Sequence, residues 1–240
     1  MNARLALCAF ALLAACAAPG GEPDGAPQVP ATTELYLVRL ENGLSTEGVP
    51  EDRLLQWSGE HRGNLRRLAE EGLGLAAGPV QDPSGTMAGI SIVRGAGPSE
   101  VRGYYAEDPF VERDHLRIVP QPLWPMIGDF GEPGEPGAFD ELVLLWARPA
   151  GGSVAAGGWD WAAWLADRPE WRAHLCFAGA LGEQREGVLA VFDAEVDGAR
   201  LQWDELQAQL NERSDTPVGL ESFAMPLWHP DGVFEVAPAD

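Results

Sequence analysis

Two residues in the stretch EHRGNLRRLAEEGLGLAAGPVQDPSG (60–85) have the types that proton-transfer chemistry needs, His61 and Asp82. An imidazole can take a proton from carbon or oxygen near neutral pH and return it. A carboxylate bonded to the other ring nitrogen would fix the tautomer and favour the imidazolium that forms. Such a pair requires no metal and no cofactor. The histidines at 61, 115, 174 and 229 show no metal-ligand spacing. The plainer alternative is a satisfied histidine at the edge of a core, with Asp82 as ordinary turn chemistry in Gln81-Asp82-Pro83-Ser84-Gly85.

The elements around these residues set where they could point. ELYLVRL (34–40) predicts a strand. From Glu51 to Glu71, Leu54, Trp57, Leu65 and Leu68 recur at helical spacing with His61 on the same face, which aims the imidazole at a sheet. LGLAAG (73–78) and TMAGISIV (86–93) predict strands about a Pro/Asp/Gly turn. PSEVRGYYAED (98–108) opens with Ser and Glu where a helix starts, and HLRIVPQPLW (115–124) predicts an edge strand, given its prolines. Asp108-Pro109-Phe110 reads first as packing at a helix end and second as lining a pocket; His115 beside Asp114 reads first as the start of a strand and second as a further pocket group.

The second half repeats this order. FDELVLLWA (139–147), LCFAGAL (175–181), EGVLAVFD (186–193) and LESFAMPLWH (220–229) answer the four strands of the first half. The expected fold class is α+β. Two ferredoxin-like βαββαβ units would pack sheet to sheet, as an intrachain dimeric α+β barrel that is monomeric in solution. The units span 34–124 and 139–236, joined by a Pro/Gly linker at 125–138. Aligning Ala178-Gly179-Ala180 on Ala77-Gly78-Pro79 sets Ala162 against His61 and Glu183 against Asp82, so the second unit lacks the base. Its tryptophan-rich run, 157–171, reads first as packing and second as an aromatic platform for a ligand.

The N-terminus carries Arg4, an apolar run from Leu5 to Ala15, and Leu13-Ala14-Ala15-Cys16. The run falls short of the ~20 residues that span a bilayer, and reads as a secretory signal. Leu13 to Cys16 resembles the lipobox of bacterial lipoproteins, with residues 1–16 as signal peptide and lipobox, Cys16 as the lipidated residue and 17–33 as a flexible tether. The expected location is the cell envelope, on the outer membrane where the cell has one. Contact with the membrane would run through the lipid alone. Cys8 would leave with the signal and Cys16 would carry lipid, so Cys176 would have no disulfide partner in the chain. With a formal charge of −21 and arginine as the only cationic side chain besides histidine, the surface repels nucleic acid and anionic headgroups. The expected partner is a small molecule.

The order His61, Leu65, Leu68, Gly72, Ala77-Gly78-Pro79, Asp82, Gly85, Gly89, then Asp108-Pro109-Phe110 and Pro122-Leu123-Trp124, resembles the YCII-related family. The resemblance covers nearly all of 34–124. It implies a dimeric α+β barrel similar to muconolactone isomerase, with a His and an Asp facing a pocket; those roles fall on His61 and Asp82. The implied chemistry is of lyase, isomerase or dehalogenase type. A non-catalytic lipoprotein that binds small molecules or acts as a scaffold is the alternative.

Overall fold

The computed structural model describes residues 34–80, 84–128, 130, 139–149, 175–183, 187–193 and 218–228. Cys16, the tether, Asp82, Ala162, the tryptophan-rich run and most of the linker lie outside the described residues. The first half runs β1 (Glu34–Asn42), α1 (Glu51–Glu70), β2 (Gly74–Pro79), β3 (Met87–Gly95), α2 (Pro98–Gly103), α3 (Pro109–Glu112) and β4 (Leu116–Ile127). The second half contributes β5 (Phe139–Pro149), β6 (Leu175–Leu181), β7 (Gly187–Asp193) and β8 (Val218–Trp228).

All the strands pair antiparallel in one closed barrel ordered β1-β3-β2-β8-β5-β7-β6-β4. The fold is therefore α+β. β5 pairs with β7 and β8 as β1 pairs with β3 and β4. Two stacked sheets would leave four strand edges with unpaired backbone groups. Here β2 meets β8 and β4 meets β6, so the sheet is continuous.

Alternation along β1 sorts its side chains. Leu35 and Leu37 turn inward, where Leu75, Ile90, Ile92, Leu123, Phe177, Leu189 and Val191 fill the barrel. Tyr36, Val38 and Leu40 turn outward, under Leu68 of α1, Val101 of α2 and Tyr105. Each face thus has its own core.

β4 is not an edge strand, because it pairs with both β1 and β6. The prolines are still accommodated as their missing N–H demands. Pro120 and Pro122 precede Leu123, where pairing with β6 begins, and Pro125 adjoins a register shift. The helix expected over 98–108 stops at Gly103 and turns follow. Helix α1 closes on Gly72, whose φ of 70° suits glycine, with Leu73 N–H donating to Leu68 O at 2.9 Å. Among the described residues no helix is long and apolar enough to cross a membrane.

Candidate functional site

Helix α1 presents the face expected from its spacing, but along the first part of the helix the neighbour is α3 and not the sheet. Leu65 and Leu68 pack on the outer core. Trp57 and His61 instead meet Phe110, with ring centroids 5.9 and 6.0 Å away and both rings edge-on. His61 Nδ1 lies 2.5 Å from Asp108 Oδ2, a hydrogen bond between a side chain 19 % exposed and one fully buried.

Local sequence explains why Asp108 stands there. It caps α3, with Oδ1 accepting from the Phe110 backbone N–H at 3.0 Å, and Pro109 takes the first helical position, where no N–H is required. One carboxylate oxygen is thus held by a helix end and the other by the imidazole. The carboxylate cannot rotate without breaking a bond. Its partner Nδ1 must carry the proton, since a carboxylate only accepts, and that leaves Nε2 as the ring nitrogen able to take one up. Among the described residues nothing bonds Nε2.

Three further groups frame the pair. Arg113 lies over the Trp57 ring at 4.8 Å and donates to Pro109 O at 3.0 Å, which ties α3 to α1. His115 stacks obliquely on Trp57 with centroids 5.7 Å apart, and its Nδ1–H donates to Leu44 O at 2.9 Å. The turn that sets His115 strains Asp114 to φ 58° and brings its carbonyl against Gly43, where any Cβ would sit 2.0 Å from Asp114 O. His115 is therefore part of this cluster as well as a residue at the start of β4.

The carboxylate that His61 meets among the described residues is Asp108, a residue whose sequence context points to packing. The clue available was Asp-Pro ahead of a short helix, a capping signature that buries an acid. Glu183, the counterpart of Asp82 in the second half, is exposed in the turn after β6. Among the described residues no three His, Cys, Asp or Glu side chains group to hold a metal.

A cleft of about 350 Å³ opens elsewhere, where β1 begins and β3 and β4 end, and none of its lining residues belongs to the His61 cluster. The cluster lies on the helical side of the sheet; the cleft includes Leu35, Leu123 and Phe130 of the barrel core.

No family model matches the chain, and no curated protein matches it in sequence. Among solved structures it is similar to a putative monooxygenase from Fusobacterium nucleatum subsp. nucleatum ATCC 25586, at 8 % identity and a TM-score of 0.51, over 87 % of this chain and 99 % of that one. A putative monooxygenase from Lactobacillus acidophilus NCFM aligns at 12 % identity and a TM-score of 0.49, over 85 % of this chain and 99 % of that one. A heme-binding protein from Thermus thermophilus aligns at 12 % identity and a TM-score of 0.49, over 82 % of this chain and 94 % of that one. At this identity the first likeness establishes a shared α+β fold.

Proposed function

We propose that this protein is a metal-independent acid/base enzyme acting on a small molecule, with His61 as the proton carrier and Asp108 as the residue that positions it. One observation carries the reading: the 2.5 Å bond between His61 Nδ1 and a fully buried Asp108 whose other oxygen is already committed. That arrangement sets the tautomer and holds the ring still, so Nε2 can exchange a proton without first reorganising. In this reading Asp108 holds Nδ1, and Asp82, which lies outside the described residues, keeps the pocket-facing role that the YCII likeness implies. The reaction class stays that of proton-transfer lyases, isomerases or dehalogenases.

The test is a turnover screen of the full-length chain against aromatic acids, lactones and quinols, followed by His61→Asn. Alanine would be a poor choice, because it leaves the buried Asp108 carboxylate short of a donor at a cost of about 1–3 kcal/mol. Asparagine keeps an N–H near the position of Nδ1 and removes Nε2. Turnover should fall by roughly 10²–10⁴-fold, the usual contribution of a general acid/base, at nearly constant melting temperature. Turnover that survives in His61→Asn refutes the assignment.

A non-catalytic ligand-binding lipoprotein is the second reading, favoured by the separation of the cleft from the His61 cluster. In that case the Asp108 bond only fastens α3 to α1, and no compound in the screen turns over.

The matching strand orders of the two halves support a single-chain pseudo-dimer of YCII-like units. Leu13-Ala14-Ala15-Cys16 supports lipid anchorage in the envelope. Cys16→Ser should abolish acyl mass and move the protein out of the membrane fraction. A wild-type protein without acyl mass refutes the anchor.

A further inference from the structure

We propose that the cleft at the barrel mouth binds a small monocarboxylate with a flat apolar body, its carboxylate held by Arg94. The floor is the top of the barrel core: Leu35, Leu123 and Phe130, whose ring lies 4.4 Å from that of Phe177. Trp124 and two prolines of β4 add rigid apolar walls. The indole is held in place, because its Nε1–H donates to Gly182 O at 3.1 Å. These surfaces suit a planar hydrophobic group, and about 350 Å³ is enough for one of one or two rings.

The charge supplies the rest. Arg94 pairs with Leu35 across the β1–β3 ladder and belongs to the inward row of Ile90 and Ile92. It is partly buried, and among the described residues its guanidinium enters no ion pair or hydrogen bond. The chain has 16 arginines for 37 acidic side chains, so an arginine that meets no acid among the described residues, beside an apolar cleft, is not explained by surface charge balance. A guanidinium there offers a planar fork matched to a carboxylate. Glu34 also lines the cleft, but its carboxylate accepts from the Tyr36 hydroxyl at 2.6 Å. Glu34 and the net charge of −21 both oppose a second negative charge on the ligand. A monoanion is the species that fits.

This site stands apart from the proposed chemistry of His61, and the experiment keeps the two separable. The full-length chain is titrated calorimetrically with 2-naphthoate and with 2-naphthylmethanol, its uncharged counterpart. The acid should bind roughly 10–100-fold more tightly, the ratio expected for a charge-assisted bidentate pair. Arg94→Gln, checked for an unchanged melting temperature, should erase that preference, and Arg94→Lys should keep part of it. His61→Asn should bind the acid as the wild type does. Equal affinity for acid and alcohol, a preference that survives in Arg94→Gln, or binding by neither compound overturns the proposal. So does a loss of binding in His61→Asn with Arg94→Gln unaffected, which would assign the ligand to the helical face.

Discussion

Replacing Asp108 by alanine is expected to lower the unfolding free energy by about 2–4 kcal/mol, the sum of a lost helix cap near 1 kcal/mol and an orphaned imidazole N–H at about 1–3 kcal/mol. Asp108 is fully buried and both its oxygens are engaged, so water cannot take over either bond without opening the packing around it. Asp108→Asn separates structure from chemistry. The amide oxygen can keep the bond from Phe110 N–H, while the amide nitrogen faces Nδ1 and donates to it. The imidazole proton must then move to Nε2. Stability should fall by less than in the alanine variant, because the cap and the imidazole each keep a partner and only the second amide N–H goes without one. Turnover should fall by about 10³–10⁴-fold, because Nε2 no longer accepts a proton. The tautomer itself is measurable as the ¹⁵N shifts of His61, which should exchange between the two nitrogens in Asp108→Asn. Unchanged shifts, or a stability loss equal to that of alanine, would contradict this account of the pair.

The parts of this fold that were legible in the sequence are those governed by local periodicity. Leu35 and Leu37 alternate with Tyr36 and Val38 because neighbouring residues of a strand face opposite sides, and β1 divides its side chains between the two cores accordingly. Leu65 and Leu68 meet the outer core for the equivalent helical reason. What periodicity cannot supply is the identity of the neighbour across the gap. His61 and Asp108 are 47 residues apart, and nothing in the spacing of either says that the first part of α1 will lie against α3. Asp108 reads as packing in the sequence because its neighbours are Pro109 and Phe110. The same residues make it a cap, and a capping acid sealed from water is one that a histidine can partner. The barrel was expected, but the strand pairs that close it were hidden for a similar reason. Closure depends on β4 pairing with β6 from Leu123 onward and on β2 reaching β8 at Ala77 and Trp228, contacts that span the two halves.

The alkaline limit of the fold should be set by tyrosine. All three tyrosines of the chain fall within the described residues, and each phenol is pushed above its ordinary value. Tyr105 is shifted chiefly by burial, partly offset by the hydroxyl of Ser91 at 2.5 Å. Tyr36 is shifted first by burial and then by its hydrogen bond to the Glu34 carboxylate. Tyr104 rises to about 12, from burial and from Glu100 nearby. A raised phenol pKa means that the folded chain holds a proton the unfolded chain releases. Below pH ~10 both states are protonated and this contribution to stability is fully present. Above it the unfolded state binds fewer protons, so stability falls with rising pH until the folded state ionises too. Each such phenol steepens that fall, and Tyr36 and Tyr105, the two residues with least exposure, contribute most. Tyr104 is only partly buried and adds less. Tyrosinate absorbance at 295 nm should therefore stay low past pH 10 and then rise together with loss of the far-ultraviolet circular dichroism signal. Tyr36→Phe, which deletes one of these ionisable groups, should move that joint transition to higher pH or make it less steep. A tyrosinate step near pH 10 with the fold intact would show that these phenols are not held as the structure has them.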